Sequence, residues 1–413
     1  MTQSQALKIL KSGCNVFLTG SAGTGKTFLL NKFISYLKKK KIWVGITAST
    51  GIAATHIGGR TIHSWSGMGM KQEMDEKAIK KLIKNEKLND RIKRPRVLII
   101  DEISMLDANR LDLVDKICKA VRGNSLPFGG LQIIICGDFF QLPPVDRERK
   151  AKFAYESLVW QNSDIRVCYL EKQYRQNDFK FVEILNKIRN NEAGQEELDY
   201  LKKRLYKSID CSITPTKLYT HNVDVDAINN YELFRIPGEE KVYYMTSRGS
   251  KELVIFLKKS CMAPEELKLK VGAVVMFVKN NFDAGYVNGT IGKIIDFEDN
   301  GYPVVETKLG NRIIASSTSW NIEENDEIIA SIAQFPLRLA WAVTIHKSQG
   351  MNLDVAEIDL SKAFELGMGY VALSRVRTLN GIRLMGINEF SLKVNQTIVQ
   401  KDCEFRALSD KIT

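Results

Sequence analysis

The sequence predicts an α/β protein built on doubly wound parallel sheets, with a small β-barrel inserted in its second half. Three observations predict this class. A short apolar strand runs into a glycine-rich turn and an amphipathic helix at residues 15–37. Further apolar runs at 42–48, 97–102 and 132–136 alternate with helical segments, whereas residues 241–328 change to short alternating runs with glycine turns. Alternating strands and helices indicate a parallel sheet with its ligands at the carboxyl ends of the strands.

The glycine-rich turn after the first strand has the G-x-x-x-x-G-K-T pattern of a phosphate-binding loop. Gly23, Thr24 and Gly25 would turn backbone N–H groups toward phosphate oxygens, and the following helix adds the positive end of its dipole. Lys26 would reach the β- and γ-phosphates, and Thr27 would ligate Mg²⁺. The alternative is an ordinary tight turn into a helix, and the flanking strand and helix argue against it. We therefore expect phosphate binding here, with ATP and Mg²⁺ as cofactors.

Acids, a glutamine and two arginines supply the remaining chemistry. Asp101 would hold Mg²⁺, directly or through water, and Glu102 is placed to orient or deprotonate the attacking water. Gln141 lies shortly after another apolar strand, where it could hydrogen-bond the γ-phosphate and that water; by itself it would be read as a polar turn residue. Arg175 and Arg375 have the context of charge-stabilising fingers acting across a cleft.

Composition and charge limit the classes of protein and of binding partner that this sequence fits. The chain has 413 residues, 44% of them hydrophobic, which predicts two or three domains with real cores. No apolar run approaches the ~18 residues of a membrane span, and the start of the chain lacks the apolar core of a signal peptide. Seven scattered cysteines without a C-x-x-C pair argue against a disulfide framework and a zinc site. A net charge of +12 favours a polyanionic partner, although charge alone is weak support.

Two polar clusters are candidates for that partner. Hydroxyls, imidazoles and backbone N–H groups position nucleic-acid phosphates. Such groups occur at Ser49, Thr50 and His63 in the first half and at Thr344, His346, Lys347, Ser348, Gln349 and Gly350 in the second. Trp65 and Phe140 could stack on bases, and a core position is an equal alternative for each.

Seven motifs occur in a fixed order along the chain. They are residues 19–27 (TGSAGTGKT), 48–54 (ASTGIAA), 101–106 (DEISML), 137–145 (GDFFQLPPV), 174–176 (YRQ), 344–351 (TIHKSQGM) and 370–377 (YVALSRVR). Together they resemble the PIF (petite integration frequency) DNA helicases, in the RecD-like branch of helicase superfamily one. The resemblance spans residues 3–385. It implies a RecA-like motor domain at 1–165 with a wedge insert at about 67–95, a second RecA-like domain at 166–240 and 329–413, and a Src-homology-three-like barrel at 241–328.

The resemblance also implies roles for single residues. Gln3 matches the glutamine that reads adenine, and the family usually has threonine where this chain has Asn352. The predicted nucleotide site comprises Gln3, Gly23, Thr24, Gly25, Lys26, Thr27, Phe28, Asp101, Glu102, Gln141, Arg175, Gln349, Gly350 and Arg375. The predicted DNA-facing positions are Ser49, Thr50, His63, Thr344, His346 and Lys347.

The resemblance implies ATP-driven 5′-to-3′ translocation on single-stranded DNA and unwinding of duplex, with G-quadruplexes or RNA–DNA hybrids as further substrates. Replication, repair or recombination is the implied setting. The expected partners are single-stranded DNA and single-strand/duplex junctions, with no membrane. Because the chain begins almost at the glutamine motif and shows no targeting segment, we expect a cytoplasmic, nucleoid-associated protein that works as a monomer.

Two other classes stay open at this point. A DNA-stimulated ATPase could move on DNA or remodel it without separating strands, and its motor motifs would be the same. A P-loop kinase or GTPase-like switch is disfavoured by the two arginines of the second half and by the basic charge.

One segment stands apart from the motifs. The charged block, residues 71–96, holds ten Lys and Arg against five Asp and Glu and predicts a helical insert closed by Pro95. A solvated helix is the usual interpretation of such a block. Its position beside the predicted DNA-facing loop favours a wedge, with Met68 and Met70 blocking one strand while Lys80, Lys81 and Lys84 steer DNA.

Overall fold

The structure is a computed structural model. It describes residues 1–50, 53–54, 57–69, 71–141, 143, 152–176, 178–209, 215–279, 281, 283–286, 289–307, 310–324, 327–349, 351 and 353–412. The chain divides into two compact units: Met1–Thr214 with Ser348–Thr413, and Pro215–Lys347. No helix in the described ranges is long and apolar enough to cross a membrane.

The first unit is an α/β unit. Its helices and strands are α1 (Gln3–Lys11), β1 (Val16–Gly20), α2 (Lys26–Lys39), β2 (Val44–Ala48), β3 (Arg60–Thr61), α3 (Ile62–Ser66), α4 (Glu76–Ile83), α5 (Glu86–Lys93), β4 (Val97–Asp101), α6 (Ala108–Arg122), β5 (Gln132–Cys136), α7 (Leu158–Gln161), β6 (Arg166–Leu170), α8 (Phe179–Arg189) and α9 (Gln195–Lys202). After the second unit the chain adds β19 (Ala356–Leu360), α12 (Met368–Ser374), β20 (Ile382–Ile387) and α13 (Gln396–Asp410).

A six-stranded sheet with the order β3-β2-β4-β5-β1-β6 organises this unit. Every pairing in it is parallel, which confirms the predicted class. Strands β1 and β4 are buried along their whole length, as expected where helices cover both faces. Because β6 pairs with β1, the sheet includes one strand beyond residue 165, where we placed the first domain boundary. The predicted domain limits themselves stay a prediction.

The parallel arrangement sets the position of the chemistry. The loops after β1, β2, β4, β5 and β6 all leave the sheet at its carboxyl edge. The phosphate loop, the Ser49 segment, the acid pair, the Gln141 segment and the Arg175 segment therefore start from one edge. On one face of the sheet Phe17 packs edge-on against Phe405 of α13, with ring centroids 5.0 Å apart.

The second unit is largely antiparallel. Its elements are β7 (Thr216–Tyr219), α10 (Asn222–Arg235), β8 (Lys241–Tyr244), β9 (Thr246–Gly249), α11 (Lys251–Ser260), β10 (Glu266–Leu269), β11 (Val274–Phe277), β12 (Ile291–Phe297), β13 (Pro303–Thr307), β14 (Arg312–Ile314), β15 (Thr318–Glu324), β16 (Glu327–Gln334), β17 (Leu337–Leu339) and β18 (Ala342–Thr344). A five-stranded antiparallel sheet has the order β14-β13-β12-β11-β17, and smaller sheets pair β10 with β8 and β15-β16-β9. These antiparallel sheets agree with the predicted inserted β part of the fold, and the limits predicted for it, 241–328, stay a prediction.

The chain leaves for that β region and returns from it at neighbouring strands. Strands β7 and β18 are parallel partners, with Leu218 opposite Val343. The buried amide of Asn229, on α10, accepts a hydrogen bond from the Ala342 N–H (2.9 Å) and donates one to the Ala342 carbonyl (3.0 Å). One side chain thus fixes α10 to the start of the returning strand.

Two predicted elements differ from the structure, and one helix was not predicted. Residues 179–206, which the sequence predicts as one helical stretch, form two helices, α8 and α9, and the chain turns between them at Asn191 with a φ of 61°. The charged block likewise forms two short helices, since Asn85 caps α5 by accepting the Leu88 N–H at 2.9 Å. Helix α11 was not predicted; its apolar residues at helical spacing, among them Leu257, pack beside Ile332. The sequence also predicts a hairpin at residues 287–290 (VNGT), which lies partly outside the described residues.

Candidate functional site

The phosphate loop joins β1 to α2. Its glycines hold backbone conformations that other residues rarely adopt: φ is 91° at Gly23 and 81° at Gly25, which caps α2. A Cβ at Gly25 would lie 2.4 Å from Nε2 of Gln3, and one at Gly23 would lie 2.7 Å from Oε1 of Gln173. Two side chains therefore lie directly against the loop, and glycine is needed for both shape and space.

Lys26 begins α2 and folds back over the loop. Its ammonium donates to the carbonyls of Gly20 (2.8 Å) and Ser21 (3.1 Å). Burial lowers the pKa of Lys26, and the nearby carboxylate of Asp138 opposes that shift. The Lys26 ammonium is therefore held inside the loop by two loop carbonyls, with the Asp138 carboxylate nearby.

The acid pair follows β4. Asp101 is buried, and its Oδ1 accepts the Glu102 N–H at 2.9 Å. Glu102 has a φ of 52°, a left-handed conformation that is uncommon for this residue type and is often found at functional sites. Burial and the Asp101 charge raise the pKa of Glu102 to about 7, while Lys26 and Arg375 act against the rise. A carboxyl group with such a pKa is suited to accept a proton near neutral pH.

Glu102 also has an acceptor available for a ligand. Its Oε2 is buried and has no hydrogen-bond partner among the described residues. The same holds for Oε1 of Gln173, Gln176 and Gln349. Buried acceptors without donors are costly unless a ligand or water satisfies them. Their presence around the loop fits a site that receives a hydrated nucleotide.

The two glutamines predicted for this site lie together. Gln141 is buried, and Nε2 of Gln349 is 3.5 Å from its Oε1. Gly350, which was predicted beside Gln349, lies outside the described residues. The structure therefore brings Gln349 to Gln141, although 208 positions separate them.

The two arginines converge on one residue, Ser374. Nη1 of Arg175 donates to the Ser374 carbonyl (2.9 Å), and Nη2 of Arg375 donates to its Oγ (3.1 Å). Arg375 is fully buried, and its Nε donates to the Val371 carbonyl at 3.0 Å. Burial lowers the pKa of Arg175 to about 10, and the neighbouring Arg375 adds to the shift. Two cations kept this close need an anion near them, which a triphosphate would provide.

The predicted adenine side is next to the same loop. Nε2 of Gln3 donates to the Thr24 carbonyl at 3.1 Å, while Oγ1 of Thr24 donates to the Ser21 carbonyl at 2.9 Å. Phe28, in the first turn of α2, is 65% exposed. Gln3 and Phe28 thus flank the start of the helix, where the resemblance implies the base.

Several residues that contact the loop were not predicted as site residues. The Gln173 amide donates to Oγ of Ser21 (2.6 Å), and the Tyr174 N–H donates to the Gly23 carbonyl (2.9 Å). The hydroxyl of Tyr370 accepts the Ala22 N–H at 3.0 Å. Gln173 and Tyr174 follow a predicted strand, so their position at a strand end was a usable signal. For Tyr370 the only signal was membership of a motif.

A metal would fit this site only together with the nucleotide. No group of three or more His, Cys, Asp or Glu side chains that could hold a metal occurs in the described ranges. Thr27 and Asp101 offer oxygen atoms, the ligands that Mg²⁺ prefers, and Mg²⁺ at such sites takes its other ligands from phosphates and water. The residues present fit that pattern.

Of the DNA-facing candidates in the first unit, Ser49 contacts the acid pair. Ser49 is buried, and its Oγ donates to the Glu102 carbonyl at 2.6 Å. Oγ1 of Thr50 accepts the Ala53 N–H at 3.2 Å. Burial lowers the pKa of His63 to about 4, and Arg110 adds to the shift, so its imidazole is neutral at pH 7. In this structure the Ser49 hydroxyl is bonded to the Glu102 backbone and is not at the surface.

The other DNA-facing candidates belong to the second unit. Thr344 ends β18 and is buried, and His346 begins a single turn of 3₁₀ helix. The side chain of Lys347 lies outside the described residues. The roles predicted for these three residues stay predictions.

Three aromatic and apolar candidates have a core position. Trp65 is 2% exposed and Phe140 is 3% exposed, so the core alternative holds for both side chains. Met68 is 1% exposed, so it cannot block a DNA strand as we predicted. The reason is packing: the preceding Gly67 lies against Leu82 and Leu88 of the charged block, which covers this segment. Met70 lies outside the described residues.

The fold and the site together define a class. A protein with a phosphate loop after β1 of a parallel sheet, an acid pair after β4 and two neighbouring arginines is a P-loop nucleoside triphosphatase. A family model described as PIF1-like helicase matches residues 3–197, and one described as DNA helicase Pif1, 2B domain, matches residues 252–297. The chain belongs to the PIF1-like helicase family.

Individual relatives agree with this assignment. The ATP-dependent DNA helicase Pif1 of Psychrobacter is 44% identical, over 99% of this chain and 71% of its own length. The crystal structure of Pif1 helicase from Candida albicans is 36% identical, covers 97% of this chain and 98% of that one, and has a TM-score of 0.92. Pif1 helicase from Bacteroides in complex with ADP-AlF3 and single-stranded DNA is 32% identical, with coverage of 98% and 96% and a TM-score of 0.82. The chain spans about three fifths of the length of the Xenopus laevis and Danio rerio relatives.

Proposed function

We propose that this chain is an ATP-dependent DNA helicase that moves 5′-to-3′ along single-stranded DNA and separates duplex. Membership of the PIF1-like family supports the class of activity. The observation that carries the chemistry is Glu102: a carboxyl group with a buried, unpaired oxygen and a pKa of about 7, influenced by both Lys26 and Arg375. A base, a loop lysine and an arginine around one point are what phosphoryl transfer to water requires.

Each residue has a distinct part in hydrolysis. Lys26 and the loop N–H groups bind the phosphates, while Glu102 accepts a proton from the attacking water. Gln141 orients that water, and Gln349 lies beside it. Arg175 and Arg375 stabilise the charge that develops on the transferred phosphoryl group. Gln3 and Phe28 would receive the adenine.

Mg²⁺ would be held by Thr27 and Asp101. When bound, it would neutralise charge on the β- and γ-phosphate oxygens. The Glu102 N–H donates to Oδ1 of Asp101, which helps to hold this carboxylate at the end of β4.

We assign the DNA-facing role to Thr50 and His63 in the first unit and to Thr344, His346 and Lys347 in the second. Ser49, predicted with them, would link this surface to the acid segment, because its hydroxyl donates to the Glu102 carbonyl. Hydroxyl groups and the neutral imidazole of His63 can donate to phosphates without adding charge. The net charge of +12 then supplies the long-range attraction. We expect affinity for single-stranded DNA to fall steeply between 50 and 200 mM salt, on the order of tenfold or more, because bound phosphates release counterions. A binding constant that does not change with salt would contradict this assignment.

The direction of movement and the separation of strands need one experiment. Forked duplexes with only a 5′ tail or only a 3′ tail are incubated with the protein, with ATP or without it. We expect ATP-dependent unwinding of the 5′-tailed duplex alone. Hydrolysis stimulated by DNA without unwinding of either duplex would favour the second candidate, a motor that moves or remodels DNA without strand separation. Hydrolysis indifferent to DNA would point to a nucleotide switch.

The assembly and setting are also proposals. We propose a monomer as the working motor, acting at junctions in the cytoplasm or nucleoid. For one solved relative, unwinding at forked duplex DNA is described as the work of two coordinating Pif1 helicases. Unwinding rates that rise with the square of protein concentration on a fork would replace the monomer with such a pair.

A further inference from the structure

A buried charge network lies beside the phosphate site. Arg189, at the end of α8, is 1% exposed. Its Nη1 donates to Oδ1 of Asp138 (2.7 Å), and its Nη2 donates to Oδ1 of Asp402 (3.0 Å) on α13. The guanidinium carbon lies 4.0 Å from the ring centre of Phe140. One guanidinium therefore connects three segments that are distant in sequence.

The hydroxyl of Tyr370 joins this network to the phosphate loop. It accepts hydrogen bonds from the Ala22 N–H (3.0 Å) and from Nη1 of Arg189 (3.2 Å), and it donates to Oδ2 of Asp138 (3.3 Å). A phenolic hydroxyl has one donor and two acceptor positions, so all of them are used. The proton arrangement is consistent only if the hydroxyl donates to Asp138.

Three segments meet at the Tyr370 hydroxyl, and each of them carries a residue of the predicted nucleotide site. Asp138 begins the segment that ends at Gln141, Ala22 belongs to the phosphate loop, and Tyr370 lies on α12, which ends beside Arg375. Helix α12 is also pressed against the Gln141 segment, because a Cβ at Gly367, its N-cap, would lie 2.8 Å from the Phe140 carbonyl. A shift of any one segment would disturb the others.

Stability alone does not explain such a network. Burying a cation with two carboxylates costs desolvation energy, and well-packed apolar residues of similar volume often give equal or greater stability. Buried polar networks fix a unique arrangement when their members are satisfied. Here both Nη groups of Arg189 and the Tyr370 hydroxyl have partners, whereas Nε of Arg189 has none among the described residues. This network would matter because it fixes the positions of the site segments. A displacement of about 1 Å in a catalytic group can cost on the order of a hundredfold in rate.

We propose that Arg189 and Tyr370 are positioning residues for ATP hydrolysis, which hold the Gln141 segment and the Arg375 helix in register with the phosphate loop. The proposal rests on the proposed function, since it assumes that Gln141 and Arg375 act on ATP. Neither residue touches the nucleotide in this scheme; both act through the segments they connect.

The network offers a matched pair of variants. Tyr370→Phe removes the hydroxyl that contacts Ala22, Asp138 and Arg189. Tyr169→Phe removes the hydroxyl of the opposite arm, which donates to Asp402 (2.9 Å) and accepts from Nη2 of Arg189 (3.1 Å). In the described part of the chain this hydroxyl has no hydrogen bond to a site segment. Both tyrosines are buried, and both lose one hydroxyl from the same network. A purely structural role predicts similar consequences for the two.

Steady-state ATP hydrolysis at saturating single-stranded DNA distinguishes the roles. We expect Tyr370→Phe to lower kcat about tenfold or more with KM for ATP within about twofold, and Tyr169→Phe to stay within about twofold of wild type in both. Melting temperatures of the two variants should fall by similar amounts. Equal kcat losses in both, or an unchanged kcat in Tyr370→Phe, would overturn the proposal.

Arg189→Lys extends the test. Lysine keeps the charge but is a point donor that cannot form the fork between Asp138 and Asp402. If Arg189→Lys folds, as judged by circular dichroism, its kcat should fall at least as far as that of Tyr370→Phe. A folded Arg189→Lys variant with a wild-type kcat would overturn the proposal. If Arg189→Lys does not fold, the two tyrosine variants decide the question. Wild-type protein without ATPase activity would instead refute the proposed function, which separates the two failures.

Discussion

Around the phosphate loop, side chains from distant parts of the sequence meet, whereas in the charged block, residues 71–96, most bonds are local. Gln173 reaches Ser21 across 152 positions, and Tyr370 reaches Ala22 across 348. In the block, Asp75 caps α4 by accepting the Ala78 N–H at 2.7 Å, and Lys80 lies 3.8 Å from Glu76 one turn away. One region depends on the whole fold, and the other folds mainly by its own sequence.

The block is itself divided. Helix α4 has no buried residue, while α5 buries Leu88 and Ile92, and Nε of Arg91 donates to the Trp65 carbonyl at 2.8 Å. Helix α5 therefore belongs to the core of the first unit. Within the charged block, α4 is therefore the helix that can be exchanged with the smaller effect on the core, so ATP hydrolysis and strand separation can be tested separately.

The largest expected effect is at Lys26. Lys26→Ala should reduce ATP hydrolysis on the order of a thousandfold and abolish unwinding, because the loop loses the charge that binds the phosphates. Binding to single-stranded DNA should be near wild type, as measured by fluorescence anisotropy. The exposed Lys32 lies on the same helix, and Lys32→Ala is the control, with activity unchanged. Normal hydrolysis by Lys26→Ala would remove the phosphate site from this account.

Glu102→Gln should lower kcat about a hundredfold while ATP binding is retained, because the amide keeps the shape but cannot accept the proton. Nucleotide affinity is measured with a fluorescent ATP analogue and turnover by phosphate release. Glu171→Gln serves as the control, since Glu171 follows β6 at the same sheet edge but is exposed. If affinity and turnover fell in equal proportion, Glu102 would have a structural role.

Replacing residues 71–84 with a Gly/Ser linker should reduce unwinding about tenfold and leave DNA-stimulated hydrolysis within about twofold of wild type, because α4 contributes no core residue. Both activities are measured on one forked substrate. The double variant Lys80→Gln/Lys84→Gln, which keeps the helix and removes two charges, separates electrostatic steering from a steric wedge. A joint loss of hydrolysis and unwinding would make α4 a support for the first unit.

The smallest expected effect concerns His63, which precedes the block. Its pKa of about 4 in the folded protein lies below the value of about 6.5 in an unfolded chain, so the folded state disfavours the proton. This contribution to stability is complete above pH 6.5 and is lost as the pH falls toward 4. Between pH 7.5 and pH 5, the free energy of unfolding of wild type should fall by about 1–2 kcal/mol more than that of His63→Gln. Denaturant titrations at both pH values measure this difference. Equal losses of unfolding free energy in wild type and in His63→Gln would mean that folding does not lower the pKa of His63.

The sequence predicted the parts of the site that are local in the chain. The loop around Lys26, the acids after β4 and the alternation of strands and helices are short patterns with a direct physical meaning. Arg189 could not be found in this way: it lies in an ordinary helical stretch, and only the folded chain brings it to Asp138 and Asp402. Met68 was misassigned for a related reason, because its burial depends on helices that follow it in sequence.

The Asn229 amide on Ala342 has a consequence for how this protein could be rebuilt. Because α10 and the returning strand β18 are joined by one side chain, the ends of the intervening segment, residues 236–341, are held close together whatever lies between them. Closing a longer segment costs little, since the entropy of loop closure grows only slowly with length. The inserted β domain could therefore be replaced by another domain at this point of the chain. Beta domains of other sizes could be grafted between Asn229 and Ala342, in evolution or in the laboratory, without redesign of the strands on either side.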